Sequence, residues 1–294
     1  MKINPVVGII GGKGLIGSCF ADVFHKAGLT VLLSDLHTKL KNRELIERSD
    51  IVAFSVPLHQ TPAIIKKLMP HTRKEQLLID FASIKTPAIK AMLRSKASVI
   101  GLHPMFRPTK NLGIKNQTIV MCPARAPTET QKFLKNILTR AGAIVTTMNA
   151  SKHDELMAVV QALTHFRAIV FGNTLRKLRV NIRETLSCMS PVYRLEFDLM
   201  GRIFAQDPLL YAAIQLHNPK AKRVLKILEE ETRRLNELIE QGSMKKFIKM
   251  FSKTGKFLGR HKEKSLAESN FLLQFFAKRP YTASDDKNFR HKSR

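Results

Sequence analysis

The sequence predicts an α/β fold, a doubly wound and mostly parallel sheet followed by an all-helical second half. Three observations carry that expectation. Between residues 6 and 148, short β-branched runs alternate with stretches of helical spacing. From residue 149 onward, apolar positions recur at intervals of three and four, with no strand pattern between them. The first strand pattern also ends in a glycine-rich turn that opens directly into a helix.

Taken in order, residues 6–10, 30–33, 51–55, 77–79, 98–102, 118–121 and 143–147 read as strands. Helical spacing fills most of the gaps, as at 16–26, 61–68 and 128–140. The strand runs are uniformly apolar rather than alternating, which suits a sheet covered on both faces. Past residue 149, Ser151 and Asp154 precede an apolar series of Leu156, Val159, Val160, Leu163, Phe166 and Ile169. The same spacing returns over 192–204, 208–216, 221–241, 244–257 and 266–276. The expected organisation is a sheet domain over 1–149, a helical domain over 150–278 and a basic, disordered tail over 279–294. Broad apolar faces on an all-helical domain call for a partner, and a homodimer is expected.

Composition narrows the function classes. A chain of 294 residues that is 44% apolar supports a real core. No run approaches the ~18–20 apolar residues of a membrane span, and the start of the chain lacks a signal-peptide pattern. The three cysteines, Cys19, Cys122 and Cys188, have no metal or redox spacing, which fits reduced thiols in a cytoplasmic protein. The formal net charge is +27. Residues 1–150 carry 22 basic against 8 acidic residues, and 151–294 carry 28 against 15. Charge spread this evenly reads as a surface bias that attracts anionic small substrates, ahead of a nucleic-acid-binding stripe.

The glycine-rich turn is Gly12-Lys-Gly14-Leu15-Ile16-Gly17. Gly12 permits a tight turn, Gly14 lets a pyrophosphate approach the backbone, and Gly17 allows close helix packing. The first helical residues, Leu15 and Ile16, present free N–H groups and a positive dipole end to phosphate. Asp35 ends the second strand, where a carboxylate accepts both ribose hydroxyls and repels a 2′-phosphate. Together these form a Rossmann-type fingerprint for NAD. Ser55-Val56-Pro57 closes the third strand, where the chain passes the cofactor.

Two further strand exits carry chemistry. Asp80-Phe-Ala-Ser83-Ile-Lys85 ends the fourth strand and offers a neutral donor and a cation to one pocket. Taken alone, Ser83 reads as a helix cap before Pro87 and Lys85 as a solvated charge. Gly101-Leu-His103-Pro-Met-Phe106 delivers one imidazole just past the fifth strand, either as a proton acceptor or as a half-buried turn cap. No metal-ligating cluster is expected.

These motifs resemble the prephenate dehydrogenase family. So do His153-Asp154, Gln161-Ala-Leu-Thr-His-Phe166, Ser190-Pro-Val-Tyr-Arg-Leu-Glu196 and Gly201-Arg-Ile-Phe-Ala-Gln-Asp-Pro208. The similarity is closest to the dehydrogenase part of the bifunctional chorismate mutase–prephenate dehydrogenase, and a mutase segment is not expected in this chain. The resemblance implies that His103 is the catalytic histidine and that Ser83 hydrogen-bonds the same region of substrate. It implies that Arg202 holds the ring carboxylate, with Lys85, His165 and Arg194 binding substrate or supporting the site. For Arg194 a structural ion pair is an equal alternative. Arg107 stands where the family motif continues with glycine, which alters the local loop.

The function implied is NAD-dependent oxidative decarboxylation of prephenate to 4-hydroxyphenylpyruvate. The same chemistry on arogenate or on 4-amino-4-deoxyprephenate is the nearest alternative. A nucleic-acid-binding or regulatory Rossmann protein is the alternative from another class. His103 must be neutral to accept a proton, so activity should fall as pH drops through its pKa, near ~6.5 if unperturbed.

Overall fold

The computed structural model describes residues 4–109 and 113–278. The expected tail at 279–294 lies outside the described residues. Seven strands form one sheet in the order β2-β1-β3-β4-β5-β6-β7. They are β1 (Val7–Ile10), β2 (Val31–Ser34), β3 (Ile51–Phe54), β4 (Leu77–Asp80), β5 (Ser98–Pro104), β6 (Thr118–Arg125) and β7 (Ile144–Thr147). β1 through β5 run parallel to their neighbours, β6 is antiparallel to β5, and β7 is parallel to β6. The chain order reverses between β1 and β3, and ligands of open α/β sheets bind outside the carboxyl ends of strands at such a point.

Helices α1 (Leu15–Lys26), α2 (Asn42–Arg48), α3 (Thr61–Leu68), α4 (Lys85–Met92) and α5 (Thr128–Arg140) connect the strands. Successive strand residues face opposite ways, so Ile9 and Ile10 enter different cores. Ile9 joins Phe20, Phe24, Ile79, Ile100 and Leu134 on one face of the sheet. Ile10 joins Leu45, Phe54, Ile65, Leu78 and Met92 on the other. Burial on both faces explains why the strands read as continuous apolar runs.

β6 extends past the expected end at residue 121 as far as Arg125. Pro123 interrupts the strand pattern, yet it is accommodated opposite Ile100, next to a register shift between Val99 and Ile100.

A continuous helical run covers Ala150–Lys177. It is built of α6 (Ala150–Met157), a π-helical segment (Ala158–Leu163) and α7 (Thr164–Lys177). By length and composition the run is a candidate membrane span, although it holds no unbroken apolar stretch of that length. Gln161, Thr164, His165 and Arg167 interrupt its apolar residues. Further helices are α8 (Ile182–Ser187), α9 (Pro191–Phe204), α10 (Pro208–His217), α11 (Ala221–Glu240), α12 (Met244–Leu258) and α13 (His261–Ala277).

The chain forms two compact units. The first holds the described residues up to Leu163 together with Pro208–Val224, and the second holds Thr164–Asp207 with the described residues from Leu225 onward. The first unit therefore extends beyond residue 149: Asn218 Nδ2 donates to Asp154 O at 3.0 Å and Gln215 Nε2 to Ala162 O at 2.9 Å. In the second unit Gly172 packs where a Cβ would meet the Phe204 ring at 2.5 Å. That unit also exposes Phe251, Phe257 and Phe271 to 70%, 87% and 75%.

Candidate active site

The nucleotide loop follows β1. The residue with left-handed backbone is Gly11, at φ 78°, so the tight turn belongs there rather than at Gly12. Its tightness brings the Gly11 carbonyl under α1, where a Cβ on Gly17 would come within 2.4 Å of Gly11 O. A Cβ on Gly12 would meet Leu33 at 2.7 Å, whereas Gly14 faces nearly open space. Gly14 is also the N-cap of α1, whose first turn holds no acidic residue. The amides of Leu15, Ile16 and Gly17 thus begin a helix with no intrahelical acceptor, an arrangement that fits a pyrophosphate.

Asp35 sits just past β2, half-buried, with Oδ2 accepting from Lys13 N at 2.9 Å and Oδ1 from Leu36 N at 2.8 Å. The carboxylate is therefore tied to the glycine loop itself. Ser55, Val56 and Pro57 leave β3 beside that loop, since a Cβ on Gly11 would strike Ser55 O at 2.2 Å. The residues present fit a dinucleotide.

His103 lies within β5, opposite Val120, and is 2% exposed. Its surroundings are more ordered than a turn cap requires. His103 Nδ1 is 2.9 Å from His153 Nε2, and His153 Nδ1 is 2.8 Å from Asp154 Oδ1. His103 Nε2 faces the Gln161 side-chain amide at 3.3 Å. Burial pushes the His103 pKa well below its ordinary value, with His153 and the Lys85 ammonium adding to the shift. His103 is accordingly neutral at pH 7, and the ~6.5 reference is an upper bound.

Asp154 joins this group to the sheet. Its Oδ1 and Oδ2 accept the backbone N–H groups of Lys85 and Thr86, each at 2.8 Å, at the start of α4. Burial alone would raise its pKa. Hydrogen bonds from His153, Thr86 and Lys85 outweigh that and hold it below the usual value.

Lys85 is placed differently from a substrate ligand. It is fully buried, and Nζ donates to Asp80 Oδ2 at 2.5 Å and to Leu102 O at 2.6 Å. A Cβ on Gly101 would meet the lysine stem at 2.9 Å, so the glycine before Leu102 makes room for this crossing. Burial pushes the Asp80 carboxyl up, against the pull of Lys85. The ammonium thus ties the ends of β4 and β5 together beneath His103. Nor does Ser83 cap α4: Ile84 holds the N-cap position, and Ser83 stands half-buried at the exit of β4, the strand beside β5.

The remaining expected site residues belong to the second unit. His165 is half-buried on α7, and burial lowers its pKa. Arg194 and Arg202 share the unbroken helix α9. The Arg194 guanidinium lies 4.7 Å from the Phe276 ring centroid and Nε is 3.9 Å from Asp198, a structural setting. Arg202 is exposed. Sequence reasoning gave no role to Asp80, His153, Asp154 or Gln161. The signal available is a polar pair, His153-Asp154, at the start of an apolar helical stripe, where burial without partners is costly.

The comparisons with known proteins agree with this architecture. Residues 22–147 match the family described as "Prephenate dehydrogenase, nucleotide-binding domain", and residues 149–253 match "Prephenate dehydrogenase, dimerization domain". The T-protein of Enterobacter agglomerans is 36% identical over 274 residues, covering 93% of this chain and 72% of that protein. The probable arogenate/prephenate dehydrogenase of Methanocaldococcus jannaschii is 33% identical over 275 residues, covering 87% of this chain and 61% of that protein. Among solved structures, prephenate dehydrogenase from A. aeolicus in complex with hydroxyphenyl propionate and NAD+ superposes with a TM-score of 0.71 at 20% identity, covering 87% of this chain and 97% of that one. The nucleotide-binding and dimerization matches follow one another along the chain, and identity to the Enterobacter T-protein extends over 93% of it; the chain is a dehydrogenase of the prephenate dehydrogenase family.

Proposed function

We propose that the protein catalyses the NAD-dependent oxidative decarboxylation of prephenate to 4-hydroxyphenylpyruvate, as a cytoplasmic homodimer. The observation that carries the reading is His103: a buried, neutral imidazole near the carboxyl end of a sheet strand, held on one side by a histidine–carboxylate pair. Such a group takes a proton from a hydroxyl without first having to lose one.

Bound NAD supplies the acceptor for the hydride leaving C4 of the substrate. His103 Nε2 takes the C4 hydroxyl proton as the carbonyl forms. The electron pair of the C1–carboxylate bond then flows into the ring, CO2 departs, and the oxygen recovers its proton from His103 as the ring becomes aromatic. Ser83, at the neighbouring strand exit, donates to the same oxygen. Arg202 offers a planar fork to the ring carboxylate, a bidentate geometry that lysine does not reproduce. Lys85 acts from beneath, by fixing the backbone before His103.

Asp35 favours NAD over NADP, because its carboxylate opposes a 2′-phosphate. The dimerization-domain match and the exposed phenylalanines of the second unit support the homodimer. Arogenate is the second reading, favoured by the double name of the Methanocaldococcus relative.

The test is formation of reduced cofactor by purified protein given prephenate or arogenate, each with NAD or NADP. The fastest turnover is expected with prephenate and NAD, with one CO2 released per hydride transferred. Preference for arogenate moves the substrate, and absence of turnover with either overturns the proposal.

A further inference from the structure

We infer that His153, anchored by Asp154, is a positioning residue that sets the tautomer of His103 and so selects Nε2 as the atom that takes the proton. The inference rests on His103 being the base and adds what makes it one.

The hydrogen-bond directions follow from the anchored end. An ionised carboxylate only accepts, and both oxygens of Asp154 already receive backbone N–H groups from the first turn of α4. His153 Nδ1, at 2.8 Å from Asp154 Oδ1, must therefore donate. A neutral imidazole that donates from Nδ1 has its lone pair on Nε2, and His153 Nε2 lies 2.9 Å from His103 Nδ1. His103 must then carry its proton on Nδ1, leaving the lone pair on Nε2.

The placement of Gln161 is consistent with that assignment. Its Nε2 lies 3.3 Å from His103 Nε2 and donates to a bare lone pair, while its Oε1 is buried with no partner among the described residues. A protonated His103 Nε2 would instead draw that oxygen toward itself. Gln161 arrives from the π-helical segment. Residues 153 and 161 would stand about 80° apart on an ideal α-helix. The wider turns of the segment close part of that gap, so one helical run addresses both ring nitrogens of His103.

The groups around the His103 ring are His153 and Asp154 on α6, Gln161, and the buried Lys85–Asp80 pair from α4 and β4. The Lys85 ammonium and a protonated His153 would each oppose a charge on His103. Protonation of His153 would also reverse the order of bonds. Its Nε2 would donate to His103 Nδ1, and the base would turn an N–H toward the substrate.

The test combines a spectrum with a kinetic split. Wild-type protein carrying 15N-labelled histidine, with the His103 signals identified by their loss in His103→Asn, should show Nδ1 protonated and Nε2 bare at neutral pH. In His153→Gln, kcat should fall about 10²-fold or more, with KM for substrate and cofactor unchanged, and the acid limb of the kcat profile should move. An Nε2-protonated His103 in the wild type would overturn the inference, as would a His153→Gln enzyme with unchanged kcat and pH profile. The spectrum needs neither substrate nor a folded His153 variant. Full turnover by His103→Asn would remove the base assignment while the tautomer reading stood or fell separately.

Discussion

Replacing Lys85 with methionine keeps most of the apolar stem and removes the ammonium, and the loss should fall on stability rather than on substrate affinity. The Lys85 and Asp80 side chains are both 0% exposed and meet at 2.5 Å. Without the cation, Asp80 keeps one backbone donor, Ala82 N at 2.9 Å, and its Oδ1 has no partner among the described residues. The stranded carboxylate relaxes by taking up a proton. From an unfolded pKa of ~3.9, neutralising it at pH 7 spans about three pH units at about 1.4 kcal/mol each, which sets a ceiling of about 4 kcal/mol. That ceiling lies within the ~3–5 kcal/mol typical of removing one partner of a buried pair. The sign is fixed by linkage. A carboxyl with a raised folded pKa binds more protons folded than unfolded, so its deficit is absent below about pH 4 and grows as pH rises. Denaturant unfolding should show a loss of up to about 4 kcal/mol at pH 7, shrinking to at most about 1–2 kcal/mol at pH 5. The double variant Asp80→Asn with Lys85→Met should recover much of it. A loss independent of pH, or a double variant no more stable than the single one, would refute the reasoning. A raised KM at unchanged stability would return Lys85 to the substrate.

Other predictions follow from the same residues. Gly17→Ala drives a Cβ to 2.4 Å from Gly11 O and 2.9 Å from Gly12 Cα; NAD affinity measured by titration should drop tenfold or more, and unaltered binding would remove the packing role of that glycine. The depressed His103 pKa means that the folded state binds fewer protons than the unfolded chain below about pH 6.5. Stability should therefore decline as pH falls from there toward the folded pKa, by up to about 1.4 kcal/mol per pH unit, and His103→Asn should flatten that slope. For Arg202→Ala, steady-state kinetics should show a higher KM for substrate with kcat nearly intact, and a pure kcat defect would contradict the carboxylate-binding role.

How much of this was legible in the sequence depended on whether a feature is local. The central strands β1, β3 and β4 are visible because both sheet faces are buried there, which makes those runs almost wholly apolar. The apolar pattern of β6 stops short because Pro123 breaks it, and only the antiparallel partner shows how that proline is accommodated. The cofactor loop was legible as a motif, yet its left-handed residue is Gly11, one position before the first glycine assigned. Lys85 shows the limit most clearly. A lysine at a strand exit looks solvated, and nothing local reveals that Gly101 clears a path for it to Asp80 and Leu102 O. Likewise His153 and Asp154 stand 50 and 69 residues from the groups they bond. Such partnerships are made by topology, not by spacing.

The most direct measurement is turnover of wild type and His103→Asn side by side, at saturating NAD, across a range of prephenate concentrations. Wild type should form NADH and release CO2. His103→Asn should retain KM within a few-fold while kcat falls by about 10²–10⁴. A variant that turns over like the wild type, or a wild type that yields no reduced cofactor from prephenate, would contradict His103 as the base of a prephenate-oxidising enzyme.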